Sequence, residues 1–276
     1  MYITLKEVQI LELEIAKEIK RVCEVLGIPY FITDGTLLGA VRHRGFIPWD
    51  DDFDIGMTAV HYKRFLSLAP KILDDRFVLQ TDANDENYAY AFAKVRLKHT
   101  HFREVITDGL LRNDGIFVDI FPYDPASYAM TRGLHMRKLQ LLCKIKMLKA
   151  GYRLNCLAQG SAKKGINSIL KHVPLSRRKI DAWIASEILR GSQNGAAYYI
   201  ERDGNFRGNY VFPAPLLENF TELEFEDTSF SAPKDYECFL RTVYGNYWEL
   251  PPESERSNVH SASCFEVNIP FEALNL

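Results

Sequence analysis

Four of the five residues from 50 to 54 are aspartates, set in the run Ile47-Pro48-Trp49-Asp50-Asp51-Asp52-Phe53-Asp54-Ile55-Gly56-Met57. Nothing else in the chain constrains its fold as sharply. Trp49, Phe53 and Ile55 mark the run as partly interior, so the fold must hold like charges beside apolar side chains and supply a counter-charge. As a strand over 50–55, period-two alternation puts Asp50, Asp52 and Asp54 on one face and Asp51, Phe53 and Ile55 on the other. Adjacent carboxylates repel and burial raises their pKa. A hard divalent cation with oxygen ligands, Mg²⁺ above all and Mn²⁺ as an alternative, relieves both, and such an ion points to phosphate chemistry.

The surrounding pattern predicts an α+β fold, a mixed sheet core flanked by helices. Leu5, Val8, Leu11, Ile15, Ile19, Val22 and Leu26 recur at helical spacing, so a helix is expected over 5–26 with Gly27 as its stop. A buried strand over 28–33 leads through a turn into a short helix that opens on Gly35-Thr36. A helix over 60–73, strands over 76–80 and 88–97, and an apolar central strand over 115–121 with Asp119 at its middle follow. Further on, helices are expected near 131–150, 161–172 and 176–191, strands over 206–212 and 223–230, and a helix from Pro233 to Tyr244. Three parts are expected: a catalytic core over 1–125, a basic helical segment over 126–200, and a C-terminal part over 201–276 that completes the core and the acceptor or head-group site.

Charge is unevenly spread. Residues 126–179 hold thirteen Lys or Arg and no Asp or Glu, which leaves 21 basic against 36 acidic residues elsewhere. A segment of this kind attracts anionic surfaces. Leu139, Leu141, Leu142, Ile145, Met147 and Leu148 among its basic residues suggest an interfacial helix over 131–150 that touches an anionic membrane; the competing reading is a solvated basic face. Few stacking aromatics and no base-reading motif argue against nucleic acid. Five widely spread cysteines, no leader pattern and no membrane-length apolar run lead us to expect a cytoplasmic protein, at most peripheral to the inner membrane face.

The order of the chemical groups carries more information than any one of them. A Gly-Thr helix start offers free N–H groups to a phosphate, and a strand with spaced aspartates follows it; a later apolar strand bears Asp119. Carboxylates from two strands can bind one or two Mg²⁺ ions for an in-line displacement at phosphorus. The run Asp34-Gly-Thr-Leu-Leu-Gly-Ala-Val-Arg-His-Arg-Gly-Phe-Ile-Pro-Trp-Asp-Asp-Asp-Phe-Asp-Ile55 resembles the LicD family, phosphorylcholine transferases related to fukutin-related proteins. Lys94-Val-Arg96, Phe117-Val-Asp119-Ile-Phe-Pro122 and Tyr244-Gly-Asn-Tyr-Trp-Glu-Leu-Pro-Pro252 are similar to further motifs of that family.

The resemblance implies a nucleotidyltransferase-like core. It also implies transfer of phosphocholine, or a related phospho-alcohol, from CDP-choline or a similar CDP-alcohol to a hydroxyl of a lipid-linked or cell-surface glycan precursor, such as lipopolysaccharide or teichoic acid, with release of CMP. Carried over, Asp52, Asp54 and Asp119 are the metal ligands. Asp50 either supports them or accepts the acceptor's proton. Gly35 and Thr36 would hold the donor phosphates, with Arg42, Lys94 and Arg96 neutralising charge. Trp49, Tyr123, Tyr247 and Trp248 are the aromatic candidates for a quaternary ammonium, and Arg256 and His260 for the acceptor side. Two rivals stand: a D-x-D glycosyltransferase using a nucleotide sugar, and a catalytically silent nucleotide- or glycan-binding module.

Overall fold

The computed structural model describes residues 1–128, 131, 134–156, 161–192, 196–204, 210–256 and 262–268. Helix α1 (Leu5–Leu26) starts on a capping box, in which the Thr4 hydroxyl accepts the Glu7 N–H while the Glu7 carboxylate accepts the Thr4 N–H. It ends where Gly27 turns left-handed at φ 58°. The predicted stripe is buried: Val8, Leu11, Ile15, Ile19 and Val22 are fully enclosed, each stabilising the fold by roughly 1.5–3 kcal/mol. Gln9 and Glu12 on the same helix are also buried.

Strand β1 (Phe31–Ile32), helix α2 (Asp34–His43), β2 (Asp54–Thr58) and α3 (Ala59–Leu68) open the core, followed by β3 (Phe77–Gln80), β4 (Ala93–Leu97), β5 (Thr100–Glu104) and β6 (Phe117–Ala126). Strands β1-β2-β6-β4-β3 lie side by side in that order. Only β2 and β6 run parallel; the other pairs are antiparallel. The mixed sheet flanked by helices agrees with the α+β expectation. Gly56 in β2 admits no side chain, because a Cβ there would lie 2.4 Å from the Phe31 ring and 2.8 Å from that of Tyr123.

Helices α4 (Leu134–Ala150), α5 (Ser161–Lys171) and α6 (Arg177–Ser192) follow, and β7 (Tyr198–Glu201) returns the chain to the second half of β6. Strand β8 (Val211–Pro213) pairs with β7, β9 (Phe220–Phe225) and β10 (Thr228–Pro233) form a hairpin, and α7 (Tyr236–Tyr244) packs Phe239 and Leu240 into the main core. Strand β11 (Ala262–Val267) pairs with β5. The strand expected over 223–230 is a hairpin, β9 and β10, that turns at Glu226-Asp227, and residues 206–209 of the strand expected over 206–212 lie outside the described residues; β7 and β11 left no clear alternation in the sequence and are found by their partners.

Three further expectations change. Residues 50–53 are not strand: the Asp50 N–H bonds the Ile47 carbonyl to close a turn over 47–50, the Gln9 amide of α1 donates to the Ile47 and Asp50 carbonyls, and irregular backbone leads from there into β2. The strand expected over 88–97 begins only at Ala93, because Tyr88 bonds the Phe92 carbonyl and the aromatics there pack inward. The interfacial helix over 131–150 is not formed as expected. Leu139, Leu142, Ile145 and Leu148 of α4 are buried inside the protein, so they are not available to lipid. Lys146 is buried as well and pairs with Asp82 and Asp181. Among the described residues no helix is long and apolar enough to cross a membrane.

Candidate active site

Sheet register brings the chemistry together. Asp54 of β2 lies opposite Asp119 of β6, and Asp119 lies opposite Lys94 of β4, so the three stand in one row on one face of three adjacent strands. Lys94 and Asp119 form an ion pair of 2.7 Å, with side chains 1% and 4% exposed. The Lys94 ammonium also sits 3.3 Å from the centre of the Phe117 ring and 5.1 Å from that of Tyr90. Asp54 begins its strand because its N–H bonds the Thr36 hydroxyl at 2.8 Å, while the Thr33 N–H bonds its carbonyl. Burial first, then repulsion from Asp52, Asp34, Asp119 and Asp50, pushes its carboxyl well above the usual range.

This row opens into a cavity of about 1220 Å³, whose wall includes Asp34, Gly35, Asp50, Asp52, Asp54, Lys94 and Asp119. Asp50 approaches the first turn of α2 so closely that a Cβ on Gly35 would lie 2.5 Å from its Oδ2. Carboxylate oxygens of Asp50, Asp51 and Asp52 fall within 4.8 Å of one another. Oxygen donors crowded in this way suit a hard divalent ion, and the residues present fit Mg²⁺.

Gly35, Arg42, Lys94, Trp49 and Tyr247 also line the cavity, as the sequence suggested. Arg42 donates to the Tyr247 carbonyl, and loss of solvent lowers its pKa. Other expected residues are placed differently. Thr36 is buried, and its hydroxyl accepts the Asp54 N–H, which ties the first turn of α2 to the start of β2. Arg96 is also buried, bonding the Gln80 side chain and the Gly115 carbonyl and pairing with Glu104, which removes it from the donor site. Tyr123 lies in the core, bonded to the Thr33 hydroxyl. Trp248 is 59% exposed and outside the cavity wall. Arg256 bonds the Pro251 carbonyl and its guanidinium lies over the Trp49 ring at 5.3 Å. His260 lies outside the described residues.

A second wall was not anticipated from the sequence. Asp34, Glu201, Asp203, Tyr210 and Tyr244 face the same cavity. Asp34 takes a left-handed φ of 48°, which is unusual for a residue other than glycine. Burial pushes its carboxyl up to about 6, although bonds from Glu201, Tyr210 and Thr33 oppose the rise. Asp34 adjoins Gly35 in the very motif that was read for phosphate binding, so its charge was the one available signal. Glu201 and Asp203 arrive from beyond the basic helices and left none.

Comparison with known proteins agrees with this geometry. Residues 27–146 match the family model LicD/FKTN/FKRP, nucleotidyltransferase domain. The chain is 29% identical over 270 residues to lipopolysaccharide cholinephosphotransferase LicD of Haemophilus influenzae, covering 94% of this chain and 96% of that protein. It is 27% identical over 124 residues to the mouse (Mus musculus) ribitol 5-phosphate transferase FKRP, covering 43% of this chain and 22% of that one. An uncharacterized protein of Rickettsia typhi shares 39% identity over 79 residues, 24% of this chain and 26% of its own length. The matched span contains the Gly35 turn, the aspartate run, Lys94 and Asp119.

Proposed function

We propose, for a chain that carries a LicD-type nucleotidyltransferase domain, that it transfers phosphocholine or a closely related phospho-alcohol from a CDP-linked donor to a hydroxyl of a cell-surface glycan precursor. The observation that carries this reading is the row Asp54–Asp119–Lys94 on the cavity floor, within a chain similar along almost its whole length to a cholinephosphotransferase. Asp52, Asp54 and Asp119 would hold a divalent ion, which when bound neutralises the diphosphate and lowers the barrier to displacement. The first N–H groups of α2 at Gly35 face the donor phosphates, with Arg42 and Lys94 supplying positive charge. Asp50 accepts the proton of the acceptor hydroxyl. The acceptor oxygen bonds to the phosphorus that carries the alcohol, the bond from that phosphorus to the bridging oxygen breaks, and CMP leaves with that oxygen.

The second wall fits the head group. A quaternary ammonium is attracted by carboxylates and by aromatic faces, and Asp34, Glu201 and Asp203 with Tyr210 and Tyr244 supply both beside Asp54. This replaces the exposed Trp248 of the sequence reading.

The test combines purified protein and Mg²⁺ with CDP-choline, CDP-ethanolamine, CDP-ribitol or CDP-glycerol and candidate glycans, following CMP release and product mass. Asp52→Asn and Asp54→Asn are expected to abolish turnover with the fold intact. Wild-type turnover in both would sink the mechanism, and transfer of a sugar in place of a phospho-alcohol would sink the reaction class.

A further inference from the structure

The cavity continues past Lys94 over three aromatic rings that have no part in the metal, donor or head-group walls. Tyr90, Phe92 and Phe121 all line it. The Lys94 ammonium lies 5.1 Å from the centre of the Tyr90 ring and 5.5 Å from that of Phe92; Phe92 stands 5.1 Å from Tyr90 and 4.4 Å from Phe121. Glu104 beside them is already engaged, since it accepts the Tyr90 hydroxyl at 3.0 Å and pairs with Arg96.

Helix α4 closes this part of the cavity. Gln140, Lys144 and Met147 line it, and their spacing of four and then three residues puts them on one helix face. Met147 and Tyr90 pack against one small cluster of Ala89, Ala150 and Tyr152, which joins that face to the rings. Leu139, Leu142 and Ile145 turn the other way and pack with Ile180 and Ile184 of α6. The helix also borders the head-group wall, where a Cβ on Gly204 would lie 3.9 Å from that of Cys143. Two other lysines of α4 are engaged by acids: Lys138 pairs with Glu187, and Lys146 with Asp82 and Asp181. Lys144 differs. It reaches the cavity wall and, among the described residues, has neither a hydrogen bond nor an ion pair.

We infer that this wall binds the acceptor, and that the acceptor is a saccharide carrying an anionic group, a phosphate or a carboxylate, which Lys144 receives while the sugar ring lies against Tyr90, Phe92 and Phe121. The inference rests on the transferase reading, in which the other walls are taken: the donor phosphates face Gly35, Arg42 and Lys94, the alcohol faces Asp34, Glu201 and Asp203, and cytidine is uncharged. A further cation in the same cavity therefore meets an anion that the donor does not bring. Aromatic rings take the C–H face of a sugar, and the Gln140 amide can both donate to and accept from hydroxyls. Residues 126–179, with thirteen Lys or Arg and no Asp or Glu, extend the same preference for an anion beyond the cavity.

Calorimetric titration of the full chain in saturating CDP and Mg²⁺, which fill the donor site, tests this with glucose 6-phosphate, glucuronic acid and methyl glucoside as probes. Wild type is expected to bind at least one anionic probe about tenfold more tightly than the neutral one, as a hydrogen-bonded charge would give. The phosphate and carboxylate probes show which anion is taken. Lys144→Gln should erase the preference and leave CDP and methyl glucoside binding unchanged, whereas Lys144→Arg should keep it. Lys163→Gln, at an exposed lysine of α5 outside the cavity wall, should also keep it. Three results overturn the inference: no preference in wild type, an equal loss in Lys163→Gln, which would assign the effect to the general charge of the segment, or a matching fall in CDP affinity in Lys144→Gln, which would place that lysine on the donor. Absence of CDP binding and of CMP release from CDP-choline defeats the transferase reading instead, and the sugar probes still read Lys144 in the nucleotide-free chain, so the two failures are told apart.

Discussion

Replacing Lys94 by methionine removes the only charge opposite in sign in the row Asp54–Asp119–Lys94. Methionine preserves most of the volume among Phe117, Tyr90 and Phe92, so the perturbation is chiefly electrostatic. The pair is almost wholly enclosed, with the two side chains 1% and 4% exposed, and breaking such a pair by removing one partner costs about 3–5 kcal/mol. For a chain of 276 residues, each kcal/mol lowers Tm by roughly 2 °C, so in metal-free buffer a fall of about 6–10 °C is expected. The isolated Asp119 should then respond more strongly to a divalent ion. Adding Mg²⁺ is expected to raise the Tm of Lys94→Met more than that of wild type, while turnover stays low because the positive charge facing the donor is lost. Differential scanning fluorimetry with and without Mg²⁺ reads both effects. A Tm within 2 °C of wild type, or an equal Mg²⁺ response in the two proteins, would show that Lys94 and Asp119 are not coupled as the register implies.

Thr36→Val leaves the Asp54 N–H without its acceptor, at a cost of about 1–3 kcal/mol, and should lower kcat with little change in donor KM, as measured by steady-state CMP release. Asp34, raised from 3.8 to about 6, favours the folded state most below pH 3.8, and that contribution is lost as pH rises through 6. Asp34→Asn is therefore expected to melt higher than wild type at pH 7.5 and no higher at pH 3.5. The same ionisation should make the donor KM of wild type fall as pH rises through 6, a trend that Asp34→Asn flattens; a parallel trend in both proteins would remove Asp34 from the head-group wall. Tyr244→Leu should raise KM for CDP-choline about two- to thirtyfold, the equivalent of 0.5–2 kcal/mol, whereas Trp248→Leu should leave it unchanged; the reverse result would restore the sequence-based assignment.

Much of the core was legible because its cues are local. The α1 stripe repeats at helical spacing, Gly27 ends it by taking a left-handed φ, and the apolar strand around Asp119 has the composition of a buried central strand. The family resemblance singled out Asp52, Asp54 and Asp119, and all three line the cavity. Face assignments held less well. Alternation placed Asp50 with Asp52 and Asp54 on a strand, but a turn held by Gln9 from forty residues upstream took its place. Lys94 and Arg96 share a strand face by periodicity, yet one reaches the cavity and the other is drawn away by Gln80 and Gly115.

By itself the sequence determined where negative charge is concentrated and which segments could form strand or helix, since backbone preference and period depend on neighbours along the chain. Only the tertiary structure decided who stands beside whom. The register of β2, β6 and β4 aligned Asp54, Asp119 and Lys94, and β7 brought Glu201 across to Asp34 after the basic helices. Those juxtapositions join residues tens to nearly two hundred positions apart, and electrostatic energy follows separation in space, with no memory of position in the chain.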